Sequence, residues 1–108
     1  MKRAVHTRAA EKLAAIEEEM KTIGVWSQEP LPETAYAFKR AFAADTMAFT
    51  QWIQFVLIPR VRSIIEQGGD FPQGSMVGTQ AVREFDGYNR AARLSTLLRE
   101  FDALFNKK

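Results

Sequence analysis

The chain has 108 residues, 46% of them hydrophobic, and its 15 basic and 13 acidic residues give a formal net charge of +2. This length predicts one domain over residues 1–108, large enough to bury a core without covalent staples. The even charge balance disfavours a surface built for nucleic acid. The absence of cysteine excludes disulfides, thiolate nucleophiles and most zinc sites.

The sequence contains neither a recognisable secretory signal nor a segment long enough to span a membrane. Its N-terminal segment lacks the apolar stretch of a secretory signal. The longest uncharged run, residues 46–59, is shorter than the about 20 residues that a spanning helix needs. We therefore expect a cytoplasmic protein with no membrane partner.

A first helix is predicted near residues 2–23, where apolar residues recur at spacings of three and four. Gly24 follows the stripe at the position of a left-handed helix cap, with Val25 placed for the accompanying apolar contact. The acidic run 17–19 is expected to be a solvated face. His6, the only histidine, is expected to be solvated because no second metal ligand accompanies it.

A central helix is predicted near residues 49–67. Before it, residues 27–32 form a polar connector with two prolines, and residues 33–42 fit either a brief helix or an ordered crossover. The central helix is apolar on nearly all sides, which is typical of an element covered from two directions. Pro59 has no N–H for the Phe55 carbonyl, so a kink is expected near the middle.

The C-terminal third predicts a loop over residues 70–78, a short helix near 79–85 and a last helix near 89–105 with a leucine and phenylalanine stripe. No segment alternates as a strand would. The predicted fold class is all-α: a compact antiparallel helical bundle of three long helices plus one or two short helical segments. The expected core comprises Leu13, Ile16, Ile53, Leu57, Ile64, Leu97 and Phe101.

Three polar residues in and before the central helix are candidates for structural roles. Asp45 is a helix cap, a salt-bridge partner or an exposed recognition group. Gln54 lies among apolar residues, as either a satisfied buried amide or a contact point for a partner. Arg60 falls on an otherwise apolar surface, so we expect it to be at least half buried and paired with Asp45, a freed carbonyl or Asp102.

The combination of Asp45-Thr46-Met47, Trp52, Gln54-Phe55 and Ile58-Pro59-Arg60 resembles the YqcC-like family of small bacterial proteins of unknown function. The chain departs from the family pattern at Ala41, where members usually carry proline, and at Ala48, where they often carry a capping residue. The resemblance implies a compact helical bundle and an association with tRNA pseudouridine synthases. The synthase activity is not carried over from the resemblance. That activity depends on a catalytic aspartate in a sheet-based fold, and the predicted helices cannot form such a fold.

The sequence assigns no catalytic residue, no metal ligand and no cofactor site. Ser63 and Ser95 have no base near them in the sequence, and one histidine gives a hydrolytic triad little to draw on. No glycine pattern matches a phosphate-binding loop. We therefore interpret the chain as a protein-interaction or accessory module rather than an enzyme. Two alternatives stay open: direct RNA binding through Arg83, Arg90 and Arg93, and an enzyme with an unrecognised site.

A candidate binding surface is predicted from aromatic residues that the helices cannot all cover. It consists of Tyr36, Lys39, Trp52 and the loop near Phe71, and it would serve another protein or self-association. The competing interpretation is that these aromatic side chains belong to the core.

Overall fold

Four helices form the fold in the computed structural model, which describes residues 2–71 and 74–105. They are α1 (Lys2–Thr22), α2 (the contiguous segments Phe49–Trp52, Ile53–Leu57 and Ile58–Gln67), α3 (Val77–Glu84) and α4 (Ala92–Phe105). Short 3-10 turns occupy Glu33–Tyr36, Ala41–Ala43 and Asn89–Ala91. The described residues include no strand, and the all-α prediction is confirmed.

Ion pairs between helices show that α1 runs antiparallel to α4. The Lys12 ammonium lies 2.7 Å from a Glu100 carboxylate oxygen, and Arg93 Nε lies 3.6 Å from Glu19 Oε1. Moving forward along α1 therefore means moving backward along α4.

The same reasoning places α2 antiparallel to α1. Arg62 donates to Glu17 at 2.8 Å, and His6 Nε2 lies 2.7 Å from the Gly69 carbonyl oxygen. Because α2 and α4 both oppose α1, they run in the same direction, and α1 is the helix that joins them.

The core lies where α1, α2 and α4 meet. The apolar stripe of α1 is buried at Ala9, Leu13, Ile16 and Met20. All the expected core residues are buried except Ile64, which is half-buried. The sequence periodicity therefore identifies the core with one error, at the C-terminal end of α2.

The end of α1 has the predicted cap. Gly24 has φ of +80°, a region that glycine enters without steric cost. The Val25 N–H donates to the Met20 carbonyl at 3.0 Å, and the Gly24 N–H donates to the Lys21 carbonyl at 3.2 Å. These are the two hydrogen bonds of a Schellman cap.

A π-helical turn, Ile53–Leu57, occurs just before Pro59, where the sequence predicted a kink. Its wider hydrogen bond runs from the Ile58 N–H to the Ile53 carbonyl. Such turns arise where the ordinary ladder is interrupted, and Pro59 cannot donate to the Phe55 carbonyl. The helix therefore passes the proline by adding a residue to one turn.

The crossover between α1 and α2 is ordered by hydrogen bonds, with two short 3-10 turns in place of a continuous helix. Thr46 Oγ1 donates to the Ala35 carbonyl at 2.6 Å. Phe42 and Ala43 both have positive φ, at 57° and 54°, which is unfavourable for residues with a Cβ. Burial of Ala43 and ring contacts of Phe42 with Phe49 and Trp52 accompany this strain.

No helix in the described part of the chain combines the length and the hydropathy that membrane crossing requires.

Candidate functional site

The predicted aromatic surface is not continuous, because Trp52 belongs to the core. Its side chain is only 8% exposed, stacks on Phe49 with ring centroids 6.0 Å apart and meets the Phe42 ring edge-on at 4.9 Å. Tyr36, at 45%, and Lys39 are exposed on the crossover. For Trp52 the core interpretation is therefore the correct one.

Phe71 lies beyond the opposite end of α2 from Trp52. Its ring packs 4.6 Å from the Phe105 ring and 4.9 Å from the His6 ring. The stretch of helix between Trp52 and Gln67 spans about 22 Å, so one small surface cannot include both aromatics. The expectation of a solvated His6 is also wrong, since this half-buried ring contacts Phe71 and the Gly69 carbonyl.

Gln54 is a satisfied buried amide. The Ser27 N–H donates to Gln54 Oε1 at 2.8 Å, and Gln54 Nε2 donates to the Ser27 carbonyl oxygen at 2.9 Å. A buried amide without such partners would be costly. The pair fixes the connector after α1 to the π-helical turn of α2, which confirms the structural alternative.

Asp45 organises the crossover and does not cap α2. Its carboxylate accepts the backbone N–H groups of Lys39 at 3.1 Å and Arg40 at 3.3 Å. Desolvation raises the pKa of Asp45, but hydrogen bonds from the backbone N–H groups of Lys39, Asp45 and Arg40 outweigh it and hold the pKa below its ordinary value. At the start of α2, Gln51 Oε1 instead accepts the Ala48 N–H at 2.8 Å.

The expectation for Arg60 is wrong. Its side chain is exposed and forms no ion pair within the described residues. The helical wheel assumed one regular helix, whereas the π-helical turn adds a residue and so rotates the following residues by about 100°. Asp102, a partner considered for it, serves α3 instead.

Asp102 holds the start of α3 against α4. This buried carboxylate accepts the Val77 N–H at 3.1 Å, the Gly78 N–H at 2.7 Å and the Ser75 hydroxyl. A carboxylate at a helix N-terminus satisfies otherwise unpaired N–H groups and complements the helix dipole. At Gly78 the backbones come so close that an added Cβ would lie 2.6 Å from the Arg99 Cα.

The solvent-facing side of the α3–α4 pair carries exposed apolar side chains. Four large apolar side chains are exposed among the described residues, and three of them lie between residues 76 and 88: Met76, Val82 and Tyr88. Met76 and Val82 are 60% and 52% exposed. Most of the exposed large apolar side chains of the described residues therefore belong to one short segment.

A shallow groove of about 500 Å³ runs between α3 and α4. Its lining comprises Gly78, Thr79, Val82, Arg83 and Arg99. We call Met76, Thr79, Val82, Arg83 and Arg99 the α3–α4 face. The sequence prediction missed this face, although the spacing of Met76, Thr79 and Val82 places them on one side of a helix.

The three arginines proposed for RNA binding have different surroundings. Arg83 lines the groove beside Arg99, whereas Arg93 is paired with Glu19. Arg90 lies in the 3-10 turn that precedes α4. The groove thus combines one predicted arginine with another that the sequence prediction had not selected.

The acidic run of α1 joins helices and is not merely a solvated face. Glu17 binds both Lys21 and Arg62. The hydrogen bond from Lys21 is the largest cause that holds the pKa of Glu17 below its ordinary value, with Arg62 also lowering it. In the described residues, no group of three or more His, Cys, Asp or Glu side chains is placed to hold a metal ion.

Comparisons with known proteins match the chain to a family model and to an uncharacterized bacterial protein. The model of the DUF446 family, described as tRNA pseudouridine synthase C, matches residues 8–104. An uncharacterized protein of Haemophilus influenzae is 26% identical over 87 residues, covering 81% of this chain and 82% of that protein. No solved structure matches the chain significantly.

Proposed function

The chain belongs to the DUF446 family, described as tRNA pseudouridine synthase C, and from this premise we propose that it is a cytoplasmic accessory module that docks onto such an RNA-modifying enzyme. We also propose that this family is the YqcC-like one indicated by the residues around the central helix. The enzyme contact is assigned to the α3–α4 face.

The observation that carries this proposal is the exposed apolar surface of α3 beside two arginines. Val82 is 52% exposed next to Arg83 and Arg99 in the groove. Exposed apolar groups gathered in one place commonly mark interaction sites. Arginine is also enriched at interfaces, where its planar group forms paired hydrogen bonds with carboxylates.

The chemistry of the groove selects an acidic, partly apolar partner segment. None of the five described residues that line it is acidic. Glu84, the residue after Arg83, lines a different pocket and accepts a hydrogen bond from Gln80 at 2.7 Å. A partner helix with an apolar side chain over Val82 and carboxylates beside the arginines would match both features.

The start of the face is attached to α4. Asp102 accepts the first N–H groups of α3, and α3 packs closely on α4 at Gly78. A preformed surface loses less conformational entropy on binding than a mobile one.

The test is the binding of purified tRNA pseudouridine synthase C from the same organism, measured by titration calorimetry. We expect Val82→Glu and the double variant Arg83→Glu/Arg99→Glu each to weaken binding by at least about tenfold. Arg8→Glu reverses an exposed arginine on α1 and is the matched control, with affinity unchanged.

Three outcomes would reject or change the proposal. Absence of binding to the synthase would reject the accessory role. Binding of tRNA that falls steeply between two salt concentrations would favour direct RNA binding through Arg83, Arg90 and Arg93. Loss of synthase binding on Tyr36→Ala or Lys39→Ala, but not on Val82→Glu, would move the contact to the exposed crossover.

A further inference from the structure

A second candidate site, separate from the α3–α4 face, lies between the C-terminal halves of α2 and α4. It is a cavity of about 140 Å³. Its apolar walls in the described residues are Leu57, Val61, Ile64, Phe71, Phe101 and Phe105. These residues explain why Ile64 is only half-buried, since part of its side chain faces this space.

Among the described residues of this lining, Arg60 is the one that carries a charge. Its guanidinium is exposed and forms no ion pair in the described part of the chain, although the sequence predicted one. Ser75 is the other polar residue among those described in the lining, and it donates its hydroxyl to Asp102. The cavity is thus apolar inside and has a positive charge at its edge.

We propose that this cavity binds a small carboxylate whose apolar group is about the size of a benzene ring. The volume is close to that of an engineered apolar cavity of about 150 Å³ that binds benzene. The apolar group would replace missing packing contacts between α2 and α4. The carboxylate would accept paired hydrogen bonds from Arg60, whose geometry suits a carboxylate.

The combination of apolar walls and a positive edge selects against ligands that lack either an apolar group or a carboxylate. A neutral aromatic molecule fills the cavity but leaves Arg60 without a partner, and a short carboxylate such as acetate leaves the walls bare. Both parts of the ligand are therefore needed, and the contribution of Arg60 should diminish with added salt because its side chain is exposed.

The experiment follows amide chemical shifts of the full chain during titration with benzoate, benzamide and acetate. We expect saturable shifts around the cavity with benzoate, and an affinity at least about fivefold above that for benzamide. Acetate should give no saturable shift at these residues.

Two variants test whether the charge of Arg60, and not a general change in folding, determines the benzoate affinity. Arg60→Gln changes an exposed side chain and should reduce the benzoate affinity to that of benzamide. Arg62→Gln, two residues away and paired with Glu17 on another side of α2, should leave the benzoate affinity unchanged. Equal affinities for benzoate and benzamide, no saturable shift with benzoate, or an unchanged Arg60→Gln variant would each overturn the proposal.

Discussion

Single polar side chains decide how the irregular segments of this protein attach to its helices. Gln54 pairs with both backbone groups of Ser27, and Asp102 gathers the first N–H groups of α3. Each side chain forms hydrogen bonds with backbone groups that would be costly to bury unpaired, which apolar packing cannot do. On the exposed crossover, Asp45 accepts the backbone N–H groups of Lys39 and Arg40.

Asp45 should make stability depend on pH in the acid range. Its pKa is depressed in the folded protein, so its contribution is present above the ordinary aspartate pKa of about 3.9 and is lost as the pH falls through the folded-state value. Asp45→Asn removes this titration. Thermal midpoints at neutral pH and at about pH 3 should therefore differ less in the variant than in the parent chain.

The control for this measurement is Asp86→Asn, which changes another exposed carboxylate, in the turn after α3. It should keep the acid sensitivity of the parent. An Asp45→Asn variant with the same acid sensitivity as the parent would show that the hydrogen bonds to Lys39 and Arg40 contribute nothing to folding.

At the scale of elements, close backbone approach and helix irregularity determine which surfaces become available. The π-helical turn of α2 rotates the residues that follow it, which brings Arg60 to the edge of the cavity. The contact of α3 with α4 at Gly78 leaves Val82 and Met76 on the outside. Both candidate sites therefore result from how two helices meet.

Gly78→Ala should destabilise the protein because the new methyl group would lie 2.6 Å from the Arg99 Cα. Backbone atoms cannot yield as a flexible side chain would, so α3 must shift. Overpacking of this kind costs about 1–3 kcal/mol, measurable as a lower midpoint in urea.

Gly69→Ala is the matched substitution. A Cβ there would meet Ile64 Cγ2 at an ordinary 3.8 Å, and we expect little change in the midpoint. Equal effects at both glycines would mean that α3 and α4 are not packed as closely as the structure shows.

At the scale of the whole molecule, α1 is the element that unites the fold. It contacts both α2 and α4 through its buried stripe and through ion pairs at its margins. Exposed ion pairs contribute little each, so the apolar stripe carries most of this stabilisation.

Leu13→Ala should therefore lower the free energy of unfolding by about 2–5 kcal/mol, the usual range for deleting a fully buried leucine side chain. Because α1 joins the other helices, the loss should appear as reduced hydrogen-exchange protection in α2 and α4 as well as in α1. Val82→Ala, at an exposed position, is the control and should change stability by less than about 0.5 kcal/mol. Reduced protection confined to α1 would contradict this role.

The fold class could be predicted from the amino-acid pattern, together with the helix bounds to within a few residues and most of the core. Apolar residues at spacings of three and four mark the buried side of a helix whatever it packs against, as Leu13 and Ile16 show. Local signals were equally dependable: Gly24 ends α1 because a left-handed cap depends on the residues adjacent in the chain.

The candidate sites could not be predicted from the sequence, because they depend on distances between residues far apart in the chain. The π-helical turn overturned the prediction for Arg60, since a wheel with a constant period cannot represent an added residue. Trp52 and Phe71 were grouped by their aromatic character but lie at opposite ends of α2. The groove beside Val82 exists because Gly78 lets α3 approach Arg99. A close contact of this kind between two helices cannot be recognised from the apolar periodicity of either helix.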